Sequence, residues 1–180
     1  MGSPKALLEY RGETFLDRLI GLLGPHCSPV IAVLGAQQES IRAGLRRSAD
    51  ALVVVNEDYR LGQLTSMQCG LRAVPGEIDG VLFTLVDHPA AASATIDALL
   101  TPPSQAPLRI PRYDGRRGHP VWFSRQLIPE FLALPATAAA RDVVQRYADQ
   151  IEYIDVDDPG ILADIDDPDA YRRLLAEDRP

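Results

Sequence analysis

Val81-Leu82-Phe83-Thr84-Leu85-Val86-Asp87-His88-Pro89 is the most hydrophobic stretch of the chain, and it ends abruptly on an acid, an imidazole and a proline. The apolar run is too short for a helix and too continuous for a half-solvated strand, so it reads as a strand buried on both faces. A sheet of such strands must carry helices on both sides. The flanks agree. Upstream, Phe15, Leu16, Leu19, Ile20, Leu22 and Leu23 recur at helical spacing before Gly24-Pro25. Val30–Leu34 and Leu52–Val55 read as further buried strands, Ile41 and Leu45 suggest a second helix, and Leu64–Val74 is a helix stopped by Pro75-Gly76. Downstream, Ser93–Leu100 is a helix and Pro102, Pro103 and Pro107 flank a linker. Strands over Leu108–Tyr113 and Val121–Phe123 enclose the turn Asp114-Gly115. Helices near Leu127–Leu134 and Ala138–Tyr147, a strand near Ile151–Val156 and a helix over Tyr171–Leu175 complete the chain. The pattern predicts an α/β fold with a mainly parallel sheet, in one domain over residues 1–180.

Composition narrows the class. The chain has 180 residues, 46% hydrophobic and 24% charged, which suits an ordered globular protein. Two cysteines make no disulfide framework and fit a reducing, cytoplasmic setting. No apolar run approaches a membrane span of about 20 residues. The net charge of −7 is concentrated at one end. Residues 149–180 hold 11 Asp+Glu against 3 Lys+Arg, while residues 1–148 hold 14 against 15. No broad basic surface remains for a nucleic-acid backbone.

Five segments carry candidate chemistry, each with a plainer alternative. Asp87 ends a buried strand, where open α/β sheets bind ligands, and it can hold a hard cation or cap a turn. The acidic run Asp164-Ile165-Asp166-Asp167-Pro168 can share that cation, or its aspartates can cap the last helix with Pro168 in its first turn. Lys5, after Gly2-Ser3-Pro4, is the sole lysine among 18 cations, and its compact ammonium suits a phosphate oxygen, though one lysine must fall somewhere. Asn56 to Ser66 follows a strand and opens a helix; Gly62 permits close approach of an anion, or Thr65 and Ser66 cap the helix with no ligand. Gly115-Arg116-Arg117-Gly118-His119-Pro120 offers cations to an anionic substrate or is an exposed turn. His26, Cys27, Cys69, His88 and Trp122 read as packing or surface, with no metal assigned to them.

Taken in order, Met1-Gly2-Ser3-Pro4-Lys5, Val55-Asn56 with Tyr59, Gly62 and Ser66, Asp87-His88-Pro89, Arg117-Gly118-His119-Pro120 and Asp164 to Pro168 resemble the MobA-like nucleotidyltransferases, and most nearly the molybdenum cofactor cytidylyltransferases. The Gly-His-Pro element leans toward the cytidylyl branch. The resemblance implies a Rossmann-like three-layer α/β/α fold and a Mg²⁺-dependent enzyme. Such an enzyme moves CMP, or GMP, from a nucleoside triphosphate to a molybdopterin-type phosphate with release of pyrophosphate. By that likeness Gly2 and Lys5 contact the triphosphate, Asn56, Gly62 and Ser66 line the base and ribose side, Asp87 and Asp166 hold Mg²⁺ with Asp164 a weaker candidate, and Arg117 and His119 lie near the acceptor. A partner that receives the product, a molybdoenzyme under maturation, is also implied.

Two features depart from the family. Its members open with a strand and a glycine-rich Leu-Ala-Ala-Gly-x-Ser-x-Arg loop before Met-Gly-x-x-Lys, whereas this sequence begins inside that motif. The resemblance therefore implies that the first, central strand and the phosphate-cradling loop are absent here and that the natural start lies upstream. Thr137-Ala138-Ala139-Ala140-Arg141 also stands where relatives often carry Gly-Asp-x-Gly, which leaves the acceptor open. A sugar phosphate or other small phosphate is the alternative acceptor. A non-catalytic module that binds a nucleotide or a partner protein is the alternative from another class.

Overall fold

The computed structural model of the chain describes residues 3–101 and 104–177. Gly2, Pro102 and Pro103 lie outside those residues. After a single 3-10 turn at Lys5–Leu7, the elements run β1 (Glu9–Tyr10), β2 (Glu13–Thr14), α1 (Phe15–Leu23), β3 (Ile31–Leu34), α2 (Gln38–Gly44), β4 (Leu52–Val55), α3 (Gln63–Arg72) and β5 (Gly80–Phe83). They continue with α4 (Ser93–Leu100), β6 (Leu108–Tyr113), β7 (Arg116–Arg117), β8 (Val121–Ser124), α5 (Ile128–Ala133), α6 (Ala140–Arg146), β9 (Ile151–Asp155) and α7 (Pro168–Glu177).

Period-2 alternation builds the layers. In β3, Ala32 and Leu34 join an apolar cluster with Leu16 and Ile20 of α1, Ile41 of α2 and Ile96 of α4. Val33, pointing the other way, meets α3 so closely that a Cβ on Gly70 would stand 3.0 Å from its Cγ2. In β5, Leu82 packs on the first cluster, while Val81 and Phe83 pack on a second formed by α3, α5 and α6 around Leu108 and Phe123. Both faces of β3 and β5 are apolar because helices cover both, the three-layer arrangement expected from the sequence.

The strands form a mixed sheet. β3 pairs β4 and β6 pairs β9 in parallel, as expected of a mainly parallel sheet. β8 departs from that expectation, since it runs antiparallel between β5 and β6. Asp114-Gly115 turns at positive φ (48° and 73°), and the chain folds back beside β6 through β7 and β8, on the edge of β6 opposite β9. The β3–β4 pair is not hydrogen-bonded to the five-stranded sheet among the described residues. A cleft of about 570 Å³ lies between them, lined by Ile31–Val33 on one side and Gly80–Val86 on the other. No residue from Gly80 to Val86 is fully buried, although all but Gly80 and Thr84 are large and apolar. Among the described residues no helix is long and apolar enough to cross a membrane.

Candidate active site

Beyond β5 the chain leaves the sheet at Thr84, and three loops converge there. The backbone N–H of Ile165 donates to the Asp87 carbonyl at 3.0 Å, which docks the late acidic loop on the strand end. The N–H of His119 donates to the Ile161 carbonyl, also at 3.0 Å. Two glycines make this contact possible. A Cβ on Gly118 would strike the Ile161 carbonyl oxygen, and one on Gly160 would strike that of Ala90. Gly118-His119-Pro120, the Asp87 loop and Asp164–Asp166 therefore meet at one place.

Lys5 reaches into that place from the N-terminal 3-10 turn. Its Nζ donates to Asp166 Oδ1 at 2.6 Å and to Asp87 Oδ2 at 3.2 Å. Burial works to lower the Lys5 pKa, but the hydrogen bonds and charges of Asp166 and Asp87 outweigh it and raise it, so the ammonium stays charged. The other Asp87 oxygen, Oδ1, is buried with no hydrogen-bond partner. So are the Nδ1 atoms of His88 and His119, and Thr84 Oγ1. The two imidazoles stack with ring centroids 4.5 Å apart. Desolvation first, then the neighbouring His88, pushes the His119 pKa down to about 4, so this ring is neutral at pH 7.

The acidic tail resolves into separate tasks. Asp158 accepts from Ala92 N, Thr95 Oγ1 and Gly160 N, fixing the start of α4. Asp155 pairs with Arg112 at 2.7 Å. Asp167 caps α7 by accepting from the N–H groups of Asp169 and Ala170 at 2.8 and 2.7 Å, and these bonds lower its pKa. Asp166 is taken by Lys5. Asp164 instead lies with Asp87 and His88: one ligand atom from each falls within 4.8 Å of the others.

The remaining expected site residues are placed differently. Asn56 is buried, donates through Nδ2 to Thr65 Oγ1 and Ser66 Oγ at 2.9 and 3.0 Å, and accepts from Asp58 N at 3.0 Å. Gly62 stands at φ 118° ahead of α3. The side-chain hydrogen bonds of Asn56 and Thr65 close within residues 56–66. Arg117 is exposed, with its guanidinium 4.8 Å from the centre of the Tyr153 ring. His88, which reads as packing in the sequence, belongs with the carboxylates. Its only sequence signal is adjacency to Asp87, since Asp164 joins it through the fold.

A strand-end carboxylate facing an ammonium, in a three-layer α/β fold with acidic side chains brought in from a late loop, is an arrangement for handling phosphates and a cation. Comparison with known proteins agrees. Residues 1–151 match the MobA-like NTP transferase domain, and the chain belongs to that family. It is 30% identical to the nicotine blue oxidoreductase of Paenarthrobacter nicotinovorans, over 96% of this chain and 88% of that protein. It is 24% identical to the molybdenum cofactor cytidylyltransferase of Escherichia coli strain K12, over 99% of this chain and 90% of that protein. A solved Mycobacterium tuberculosis H37Rv protein in complex with manganese superposes with a TM-score of 0.78 at 28% identity, over 96% of this chain and 91% of the other.

Proposed function

We propose that this chain is a divalent-metal-dependent nucleotidyltransferase that moves CMP from CTP to a small phosphorylated acceptor of the molybdopterin type. The observation that carries the reading is Lys5 between Asp87 and Asp166 at the end of β5. Family membership and the E. coli cytidylyltransferase relative support the reaction class. The manganese complex of the M. tuberculosis neighbour supports a divalent ion, for which Mg²⁺ is the natural physiological choice.

In the reaction, an acceptor phosphate oxygen forms a bond to the α-phosphorus of the triphosphate. The bond from that phosphorus to its bridging oxygen breaks, and the electron pair leaves with pyrophosphate. The acceptor is already an oxyanion near pH 7, so the site needs no general base. Lys5 would exchange its carboxylates for phosphate oxygens. Release of Asp166 costs little, because it is 72% exposed and an exposed pair holds by less than about 1 kcal/mol. Asp87, with its second oxygen buried and unpartnered, fits a cation beside the phosphates. A divalent ion there would orient the phosphates and spread their charge. Asn56 holds the loop from Asp58 to Ser66 in shape beneath the nucleotide, and Gly2, Gly62 and Ser66 would line its path. His119 and Arg117 would face the acceptor, His119 from the centre of the site and Arg117 from its rim.

Pyrophosphate release from CTP, GTP and ATP tests this, with molybdopterin and with sugar phosphates as acceptors. Release with CTP and molybdopterin is the expected result. Release only with a sugar phosphate would reassign the acceptor, and GTP preference the branch. The 30% identity to an oxidoreductase motivates one other reading, a redox enzyme. Such an enzyme would consume a reductant and release no pyrophosphate.

A further inference from the structure

We infer that His88 is a nitrogen ligand of the divalent cation, completing a site with Asp87 and Asp164 that prefers Mn²⁺ and its later neighbours to Mg²⁺. The inference rests on the metal-dependent reading above and adds to it the identity of the donor set.

Three observations carry it. A ring nitrogen of His88 and a carboxylate oxygen from each of Asp87 and Asp164 lie within 4.8 Å of one another. Around an octahedral ion with bonds of about 2.1 Å, cis ligands stand roughly 3.0 Å apart and at most one pair of the three can be trans at roughly 4.2 Å, so the three donors draw inward when an ion binds. His88 is 9% exposed, and its Nδ1 has no hydrogen-bond partner. Asp87 gives Oδ2 to Lys5 and keeps Oδ1 buried without a partner. Buried polar atoms are almost always satisfied, so these two orphans on adjacent residues each call for a partner. Carboxylate oxygens offer lone pairs only, and an imidazole offers one as well from the nitrogen that carries no proton, so a cation satisfies all three donors at once. Lys5 already fills the other side of Asp87, which leaves the Oδ1 side for the ion.

The donor set sets the preference. Oxygen-only sites suit Mg²⁺, whereas imidazole raises affinity along the series from Mn²⁺ to Zn²⁺. Asp164 is exposed, so the site opens to solvent and leaves coordination positions for phosphate oxygens. The stacked ring of His119 holds the His88 plane from one side.

Electron spin-echo spectroscopy of Mn²⁺ bound to the whole chain, with and without CTP, reads the ligand directly. The expected result is a ¹⁴N coupling that is lost in His88→Gln and kept in His119→Gln. Calorimetric titration beside it should show Mn²⁺ binding about tenfold or more tighter than Mg²⁺, with the ratio collapsing in His88→Gln. Bound Mn²⁺ without ¹⁴N coupling in the unsubstituted chain would overturn the inference while leaving a metal-dependent transferase intact. A coupling that survives His88→Gln and vanishes in His119→Gln would overturn it in favour of the other ring. Failure to bind Mn²⁺ at millimolar concentration, alone or with CTP, would overturn it too. CTP affinity, measured separately, then decides the fate of the transferase reading. If His88→Gln fails to fold, the unsubstituted chain and His119→Gln still decide between the two rings.

Discussion

Two loops leave the C-terminal ends of β4 and β5, and they differ in how their buried polar atoms are satisfied. The loop after β4 is closed: Asn56 commits both ends of its amide to Thr65, Ser66 and Asp58. The loop after β5 is open: Asp87 Oδ1 and His88 Nδ1 are buried with nothing to bond. Both positions fit the rule that open α/β sheets bind ligands at strand ends. The rule does not separate a residue that shapes the site from one that awaits a ligand. Satisfaction of the buried atoms does. By that criterion Asn56 is scaffold, and the Asp87 loop with Lys5 is where charge must be neutralised.

The difference can be broken by substitution. Lys5→Ala should remove the ammonium that meets the triphosphate and lower kcat/KM for CTP by about a hundredfold or more, with a smaller fall in stability, because Asp166, the nearer of its two partners, is 72% exposed although Asp87 is 20% exposed. A stability loss as large as the activity loss would make Lys5 part of the scaffold instead.

His119 gives the next largest effect, in metal-free protein. Its folded pKa of about 4 lies below the usual value of 6.5, so the unfolded chain binds the proton first. Stability is full above about pH 6.5 and falls as the pH drops toward 4. The loss is about 3 kcal/mol over that window. Urea unfolding from pH 7 to 4 should show this slope, and His119→Gln should flatten it. An unchanged slope would place the titration elsewhere.

Asn56→Ala leaves Thr65, Ser66 and the Asp58 amide without their shared partner and should cost about 2 kcal/mol. Mn²⁺ binding at Asp87 should not change. A loss of metal affinity in this variant would show that the two loops are coupled and would blur the distinction between them. Smallest is Asp167→Ala, which removes the cap of α7 and should lower the melting temperature slightly, less than Asn56→Ala does. Since its folded pKa is lowered, the cap's contribution is present above about pH 4 and disappears as acid protonates Asp167.

Much of the fold was legible in the residues themselves. Continuous apolar runs marked the buried strands, and Gly24-Pro25 ended the first helix at the expected point, with Gly24 as its C-cap. Asp167-Pro168 showed itself as a helix start because capping is local. What escaped is non-local. The antiparallel insertion of β8 depends on which edge of β6 the returning hairpin takes, and no local pattern encodes that. Asp158 looked like one more acid in a charged run, yet its partners Ala92 and Thr95 stand 66 and 63 residues away. His88 looked like packing for the same reason. Asp87 was visible because its strand ends on it, whereas the pairing of Asp166 with Lys5 and the closeness of Asp164 to Asp87 and His88 are set by the fold.

The central claim is that the strand-end cluster around Asp87, rather than the closed loop at Asn56, holds the cation and the phosphates of the nucleotide. The direct measurement is a thermal-shift titration with CTP and a divalent metal, comparing the unsubstituted chain with Asp87→Asn, a change that keeps size and removes charge. A ligand bound only by the folded state at a hundredfold excess over its dissociation constant stabilises by about 2.7 kcal/mol. The predicted result is a clear rise in melting temperature for the unsubstituted chain and little or none for Asp87→Asn. Equal rises in both would contradict the claim and place nucleotide and metal elsewhere on the fold.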